Sequence, residues 1–301
     1  MNQKFIKKIS DDLEGVFFLE GALNGKYPFS HSLLIDDILI DTGISTKLLR
    51  KLKRTNMVSK ILLSHWHEDH ISGNRVFSDK EFYSHPSDQH LIENTSKMIE
   101  YYDCVGSDFE DEFRDLLESL RMENVEVSEE LVDDQNISIN DTYNLKVIHT
   151  PGHTAGHCCF YEPQFKFAFL ADIDLSSFPF YGGIDSNLIE FEESIEKIQG
   201  FDIEIAITAH KGVIQGKEII FQRLERFKKV LEERDERILE CLSEKKPIKA
   251  TELIDMNIIY AKYSQFKDYE LIAEKIMIEN HFEKFLENNL IEKEDDGYLL
   301  T

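Results

Sequence analysis

The sequence predicts a layered α/β core followed by a small helix-rich C-terminal domain. Three observations predict it. Apolar runs of strand length alternate with helical periodicities in two halves of the chain. Clusters of polar, ligand-type residues follow directly on buried strands. After Gly216 the pattern shifts to long helices. A length of 301 residues suits one large domain with an appendage.

The elements follow in order. Val16–Leu19, Ser30–Ile35 and Ile38–Ile40 read as strands, with Asp36-Asp37 as the turn between the last two. Asp41-Thr42-Gly43 breaks the pattern, and Ser45 is placed to cap a helix over Thr46–Lys53. Ile61-Leu62-Leu63 is a short buried strand. Residues 86–123 are acidic, with Leu91, Met98, Ile99, Tyr102, Phe113, Leu116, Leu117 and Leu120 at helical spacing. They predict two helices broken near Val105-Gly106. Strands resume at Leu145–His149, Cys158–Tyr161 and Phe165–Leu170, and the adjacent Cys158 and Cys159 should face opposite sides. A helix over Phe191–Ile198 precedes a strand over Ile203–Thr208.

Beyond Gly216, helices are predicted over Lys217–Leu242, from near Thr251, and over Tyr269–Asn288. Asp296-Gly297 between apolar runs signals a terminal hairpin. Three helices and a hairpin suggest a small winged-helix-like domain over 219–301, after a core domain over 1–218.

Composition excludes several function classes. With 34 basic and 58 acidic residues, the formal charge is −24, which opposes coating of a phosphate backbone. A hydrophobic content of 42% supports a packed core. Four cysteines form neither a disulfide framework nor a CxxC clip, so a reduced, cytoplasmic compartment is expected. MNQKFIKKIS lacks an apolar signal core, and no apolar run is long enough to span a bilayer.

The chemistry concentrates in Ser64-His65-Trp66-His67-Glu68-Asp69-His70, directly after a buried strand. Imidazole nitrogens and carboxylate oxygens at this density are ligands for zinc and related metals. Thr150-Pro151-Gly152-His153-Thr154-Ala155-Gly156-His157 is a second, Gly-rich turn that can aim His153 inward. Asp172 and His210 each close a buried strand. Any one of these alone reads as a polar surface loop, a turn or a cap; together they form a set.

HWHEDH, the TPGHTAGH turn, Asp172, His210 and the LIDTG segment around Asp41 resemble the motifs of the metallo-β-lactamase superfamily, over about residues 10–215. The resemblance implies a four-layer αββα sandwich of two mixed sheets with helices outside. It assigns one metal to His65, His67 and His153, and a second to Asp69, His70 and His210, with Asp172 bridging. Asp41 and His157 are implied as supports behind the ligands. The implied cofactors are two zinc ions, although iron and manganese also suit these donors.

Two close cations lower the pKa of a shared water and yield hydroxide near neutral pH. Asp69 is expected to orient that water or carry a proton, and Asp172 to hold the metals together. The expected function is therefore hydrolysis of a small ester, lactone or thioester. Alternatives are a phosphodiesterase or single-stranded RNA endonuclease on the same metals, an iron-dependent sulfur oxygenase, and a non-enzymatic metal-binding regulator. Residues 231–301 hold 18 acidic and 10 basic residues, so the C-terminal module is read as a packing or homodimerisation element rather than a DNA reader. The expected partner is a small-molecule substrate, with no membrane role; nucleic acid is disfavoured, with RNA the one form retained as an alternative.

Around the site, the 86–123 insert is read as a candidate lid carrying Tyr101, Tyr102 and Phe109. Residues 174–183 are placed to line the pocket. Trp66 and His149 are read as packing, Glu68 as turned away from the ligand face, and His85 and His90 as surface residues. His31 and His281 carry no functional argument.

Overall fold

The computed structural model describes residues 4–254 and 256–301; Met1–Gln3 of the basic N-terminal segment and Asp255 lie outside the described residues. The first half forms a seven-stranded sheet from β1 (Ile6–Lys8), β2 (Val16–Leu19), β3 (Ser32–Ile35), β4 (Ile38–Ile40), β5 (Lys60–Leu62), β6 (Glu81–Ser84) and β7 (Glu129–Glu130), in chain order. Its first four strands pair antiparallel, and β4 to β7 run parallel. The second half forms a six-stranded sheet, ordered β13-β12-β11-β10-β9-β8. Its strands are β8 (Asn136–Ser138), β9 (Asn144–His149), β10 (Cys158–Glu162), β11 (Phe167–Ala171), β12 (Ile205–Thr208) and β13 (Gly212–Gln215).

Side-chain alternation explains why the sheets stack. Leu33 and Ile35 of β3 face Val147, Cys158, Phe160, Phe167 and Phe169 of the second sheet in one buried cluster. Leu34, one residue out of phase, faces an outer helical layer instead. Cys158 lies between the sheets and Cys159 on the opposite face, as their adjacency requires. The outer layer over the first sheet contains α1 (Thr46–Lys53), α2 (Glu68–Ile71), α3 (Pro86–Ile92), α4 (Met98–Tyr101) and α5 (Glu110–Leu120). The layer over the second contains α6 (Leu188–Gln199) and α7 (Lys217–Cys241). The result is the expected αββα sandwich with a C-terminal helical region.

That region continues with α8 (Ala250–Leu253), α9 (Lys267–Glu287) and a hairpin of β14 (Ile291–Glu294) and β15 (Gly297–Leu300). Its buried residues Leu253, Met277, Phe282 and Ile291 belong to the same apolar cluster as Phe191 and Ile195 of α6.

Three local expectations are corrected. The insert over 86–123, expected as two helices, forms three, because Asn94 leaves helical geometry at ψ 80° between α3 and α4. Ser45 makes no side-chain cap bond to α1; with φ at 106° its carbonyl instead accepts from Leu48 and Leu49. The helix expected from Thr251 is a single turn, because Ile254 is already extended.

Candidate metal centre and its cavity

The site is built at the C-terminal ends of β4, β5, β9, β11 and β12, where the strands of an α/β fold present functional groups. Asp41 follows β4 in a left-handed conformation, φ 60°, and is fully buried. Its Oδ1 accepts from the Ser64 amide at 2.8 Å, and its Oδ2 accepts from Ser64 Oγ and His70 Nδ1, both at 2.7 Å. Gly43 in the same turn has no substitute: a Cβ there would lie 1.8 Å from the Asp69 carbonyl oxygen. The register of β11 slips between Phe169 and Ala171, a bulge that re-aims the next residue, Asp172. Gly152 sits at φ 119° against the Phe191 backbone, which lets the His153 turn close over α6.

All seven expected ligand residues come together. His65, His67, His153 and Asp172 place one donor atom each within 4.8 Å of one another, and so do Asp69, His70 and His210. Asp172 faces both groups. Its Oδ2 lies 3.2 Å from His153 Nε2 and 4.0 Å from His65 Nε2, and its Oδ1 lies 3.1 Å from His70 Nε2 and 3.5 Å from His210 Nε2.

The chemistry of this donor set fits divalent cations. Four imidazoles have their outer nitrogens committed: His65 to Ser64 Oγ, His70 to Asp41, His153 Nδ1 to the Phe180 carbonyl, and His210 Nδ1 to the Gly25 carbonyl. In its neutral form each of these rings then turns the lone pair of Nε2 toward the cluster. His67 differs and presents Nδ1, 2.9 Å from His153 Nε2. His65 Nε2 is 3.2 Å from the same atom. These separations are close to those of nitrogens around one tetrahedral zinc, which lie about 3.3 Å apart. His70 Nε2 and Asp172 Oδ1 are buried without a hydrogen-bond partner, as unfilled donors would be.

Electrostatics divide the two groups. Burial, then the neighbouring histidines, hold His65 far below the usual imidazole range; burial and His153 do the same for His67. Burial also pushes His210 and His70 down, but the carboxylates facing them win. His210 rises to about 9, chiefly through Asp172, and His70 moves well up through Asp172, Asp69 and Asp41. Burial would raise Asp172, yet His70, His210 and His153 hold it well below the carboxylate range.

Supporting residues surround the ligands. His157 accepts from the Asp172 amide at Nε2, 3.2 Å, and its Nδ1 meets Thr150 Oγ1 at 2.8 Å, so it links the bridge to the His153 turn. Sequence reasoning missed Asp88. This carboxylate is buried on α3 and accepts from the Trp66 amide, Thr154 Oγ1 and the Gly156 amide, clasping both histidine loops. Burial and the nearby Asp185 hold it well above the carboxylate range. The available signal was its place three residues before Leu91, on the apolar face of α3. Asp185 in turn accepts from Trp66 Nε1 at 2.9 Å.

A cavity of about 490 Å³ opens onto the clusters. Tyr102, Phe109 and Phe113 of the 86–123 insert form one wall, and Phe178 and Phe180 of the loop after Asp172 another. The C-terminal region supplies a third with Tyr260, Phe266 and Tyr269, which sequence reasoning did not identify. Tyr101 instead meets His90, 2.7 Å away. Glu68 turns away from the ligand atoms but not to solvent: it accepts from Tyr27 at 2.6 Å and Tyr102 at 2.7 Å on the cavity wall. Burial, then Asp69, lifts its carboxyl to about 7 against those two bonds. His85, read as a surface residue, stacks on His149 at 3.9 Å.

Comparisons with known proteins agree with this picture. The profile of the Metallo-beta-lactamase superfamily matches residues 29–210. An uncharacterised protein of Aquifex aeolicus (strain VF5) is 29% identical over 170 residues, covering 54% of this chain and 71% of that protein. A hydroxyacylglutathione hydrolase of Buchnera aphidicola subsp. Baizongia pistaciae (strain Bp) is 31% identical over 134 residues, 44% of this chain and 41% of that enzyme. Among solved structures, a beta-lactamase domain protein from Burkholderia ambifaria superposes with a TM-score of 0.72 at 14% identity, covering 98% of this chain and 93% of that one. A metallo-beta-lactamase family protein from Thermus thermophilus gives 0.68 at 18%, with 95% and 93% coverage. At those identities the structures show the fold alone. The superfamily match and the paired His/Asp clusters together support a metal-dependent hydrolase.

Proposed function

We propose, starting from the fact that the chain belongs to the metallo-beta-lactamase superfamily, that it is a dinuclear hydrolase of small acyl esters, lactones or thioesters. The observation that carries this reading is an aromatic-walled cavity opening directly onto two His/Asp clusters joined by one carboxylate. The hydroxyacylglutathione hydrolases among the relatives point the same way.

His65, His67 and His153 would hold one cation and Asp69, His70 and His210 the second, with Asp172 shared between them. Cations bound there supply an activated water for attack on an acyl carbon and a Lewis acid for the attacked oxygen. Asp69 lines the cavity beside His210, 3.3 Å from its Nε2, and is placed to orient the attacking water and take its proton. The aromatic walls bind the acyl or aryl part and exclude bulk water. Glu68, fixed by Tyr27 and Tyr102, keeps the wall nearest the ligands rigid. A cavity of this size suits a small acyl group better than a polynucleotide.

The test is turnover by the zinc-loaded protein on panels of aryl esters, acyl thioesters and lactones, beside a labelled single-stranded RNA and an aryl phosphodiester. Acyl hydrolysis that disappears in H65A/H67A is expected. Cleavage of the RNA or phosphodiester alone would replace this reading with a phosphodiesterase. Metal binding with no turnover on any panel would favour the regulator.

A further inference from the structure

We propose that Arg234, on α7 of the C-terminal region, is a positioning residue for the metal centre: it fixes the Pro179–Tyr181 strap whose backbone orients His153. The inference rests on the metal-centre reading above.

Arg234 is 1% exposed. Its Nη1 donates to the Pro179 carbonyl at 2.8 Å and to the Tyr181 hydroxyl at 3.0 Å. The guanidinium lies over the ring of Phe178 at 4.7 Å and of Tyr181 at 5.3 Å. Among the described residues no carboxylate pairs with it, and its Nε is buried without a partner. Burying a cation in this way is unfavourable, and a methionine or leucine would fill the same volume more easily. What those residues lack is a donor: Nη1 alone donates to the Pro179 carbonyl and to the Tyr181 hydroxyl, while the planar guanidinium lies over Phe178 and Tyr181.

Phe180 lies between the two anchored positions. Its carbonyl accepts from His153 Nδ1 at 2.8 Å, and its ring packs against His67 and His153. The partner of a ligating imidazole's outer nitrogen sets its tautomer and rotation. Tyr181 is held from a second helix as well. Its hydroxyl meets His281 Nε2 at 2.8 Å, and His281 Nδ1 meets Asp235 at 2.5 Å. Donors run in one direction, from Arg234 through Tyr181 and His281 to Asp235. The C-terminal helices therefore reach the ligand shell through two hydrogen bonds and one peptide unit.

The test compares full-length R234M, R234K and K228Q with the wild type. Lys228, also on α7, pairs with Glu196 of α6 and touches neither the strap nor the chain from Arg234 to Asp235, so K228Q controls for general loosening. Three quantities are read: melting temperature after metal removal, zinc affinity by competition with a chromophoric chelator, and the visible spectrum of the cobalt-substituted protein. R234M should bind zinc about 10–100-fold more weakly and shift the cobalt spectrum. R234K, which keeps the charge and a donor but loses the planar guanidinium over Phe178 and Tyr181, should fall between R234M and wild type. K228Q should bind zinc as the wild type does, whatever its melting temperature. Wild-type affinity and an unchanged cobalt spectrum in R234M would overturn the proposal, as would an equal loss in K228Q. Should R234M not fold, R234K indistinguishable from wild type overturns it. A wild-type chain that binds no zinc would instead overturn the metal-centre reading itself.

Discussion

At the scale of single residues, the two His/Asp clusters were legible, as were Asp41 and His157 behind them through the resemblance, while the other supporting contacts were not. HWHEDH, His153, Asp172 and His210 stand out because such residues rarely crowd the ends of buried strands without a ligand. Asp41 became readable through its resemblance to a known turn. Asp88, Asp185 and the Glu68–Tyr27–Tyr102 contacts were hidden because each joins segments far apart in sequence. Residues 68 and 27, for example, meet only where the loops before β3 and after β5 converge at one end of the first sheet. Two predictions belong here. D41N removes an acceptor that Ser64 and His70 share, so zinc affinity should fall about 10–100-fold in a chelator competition. An unchanged affinity would mean that Asp41 does not support the ligands. D88N places an amide donor among three donors, and should lower the stability of the metal-free protein by about 1–3 kcal/mol in urea unfolding. Equal stability of D88N and wild type would show that the clasp is dispensable.

At the scale of elements, periodicity located most strands and helices, since apolar spacing survives whatever partner an element finds. Val16–Leu19 and Thr46–Lys53 are observed with the bounds their patterns suggest. Thr251 shows where this fails: a few apolar residues after it satisfied a helical spacing, but one turn forms before the chain extends. The 86–123 insert, expected as a lid, is packed into the first sheet's outer layer through Leu91, Met98, Phe113 and Leu117 while Tyr102 and Phe109 wall the cavity. The contact between α7 and α9 offers a pH test that does not involve the ligands. Burial pushes Asp235 up, but His281 and Lys284 outweigh it and hold its carboxyl below the usual range. A carboxylate depressed on folding contributes stability above its unfolded pKa, about 3.9, and loses it as pH falls through the lower folded value. D235N should therefore be less stable than wild type by about 2 kcal/mol at neutral pH. The gap should narrow below about pH 4. A gap that persists undiminished at low pH would place the effect in packing rather than charge.

At the scale of the whole molecule, the layered α/β class was legible because apolar runs of strand length alternate with helical periodicities in both halves of the chain. How far the C-terminal region joins the core was not, since that depends on which face of α7 and α9 finds a partner. Leu224, Phe227, Met277 and Phe282 share one cluster with α6 and the second sheet. A chain ending at Gln215 would expose that cluster, so it should fail to unfold cooperatively; a sharp transition in the truncated chain would show two independent units. A formal charge of −24 leaves the cavity floor as the place where anions are tolerated, provided that cations occupy it. The proposed chemistry depends on those cations. The most direct measurement is the metal content of chain purified without chelator, before and after dialysis against zinc, for wild type and H65A/H67A. The expected result is about two divalent ions per wild-type chain and a loss of at least one in the variant. Wild-type protein that neither carries nor takes up metal would contradict it.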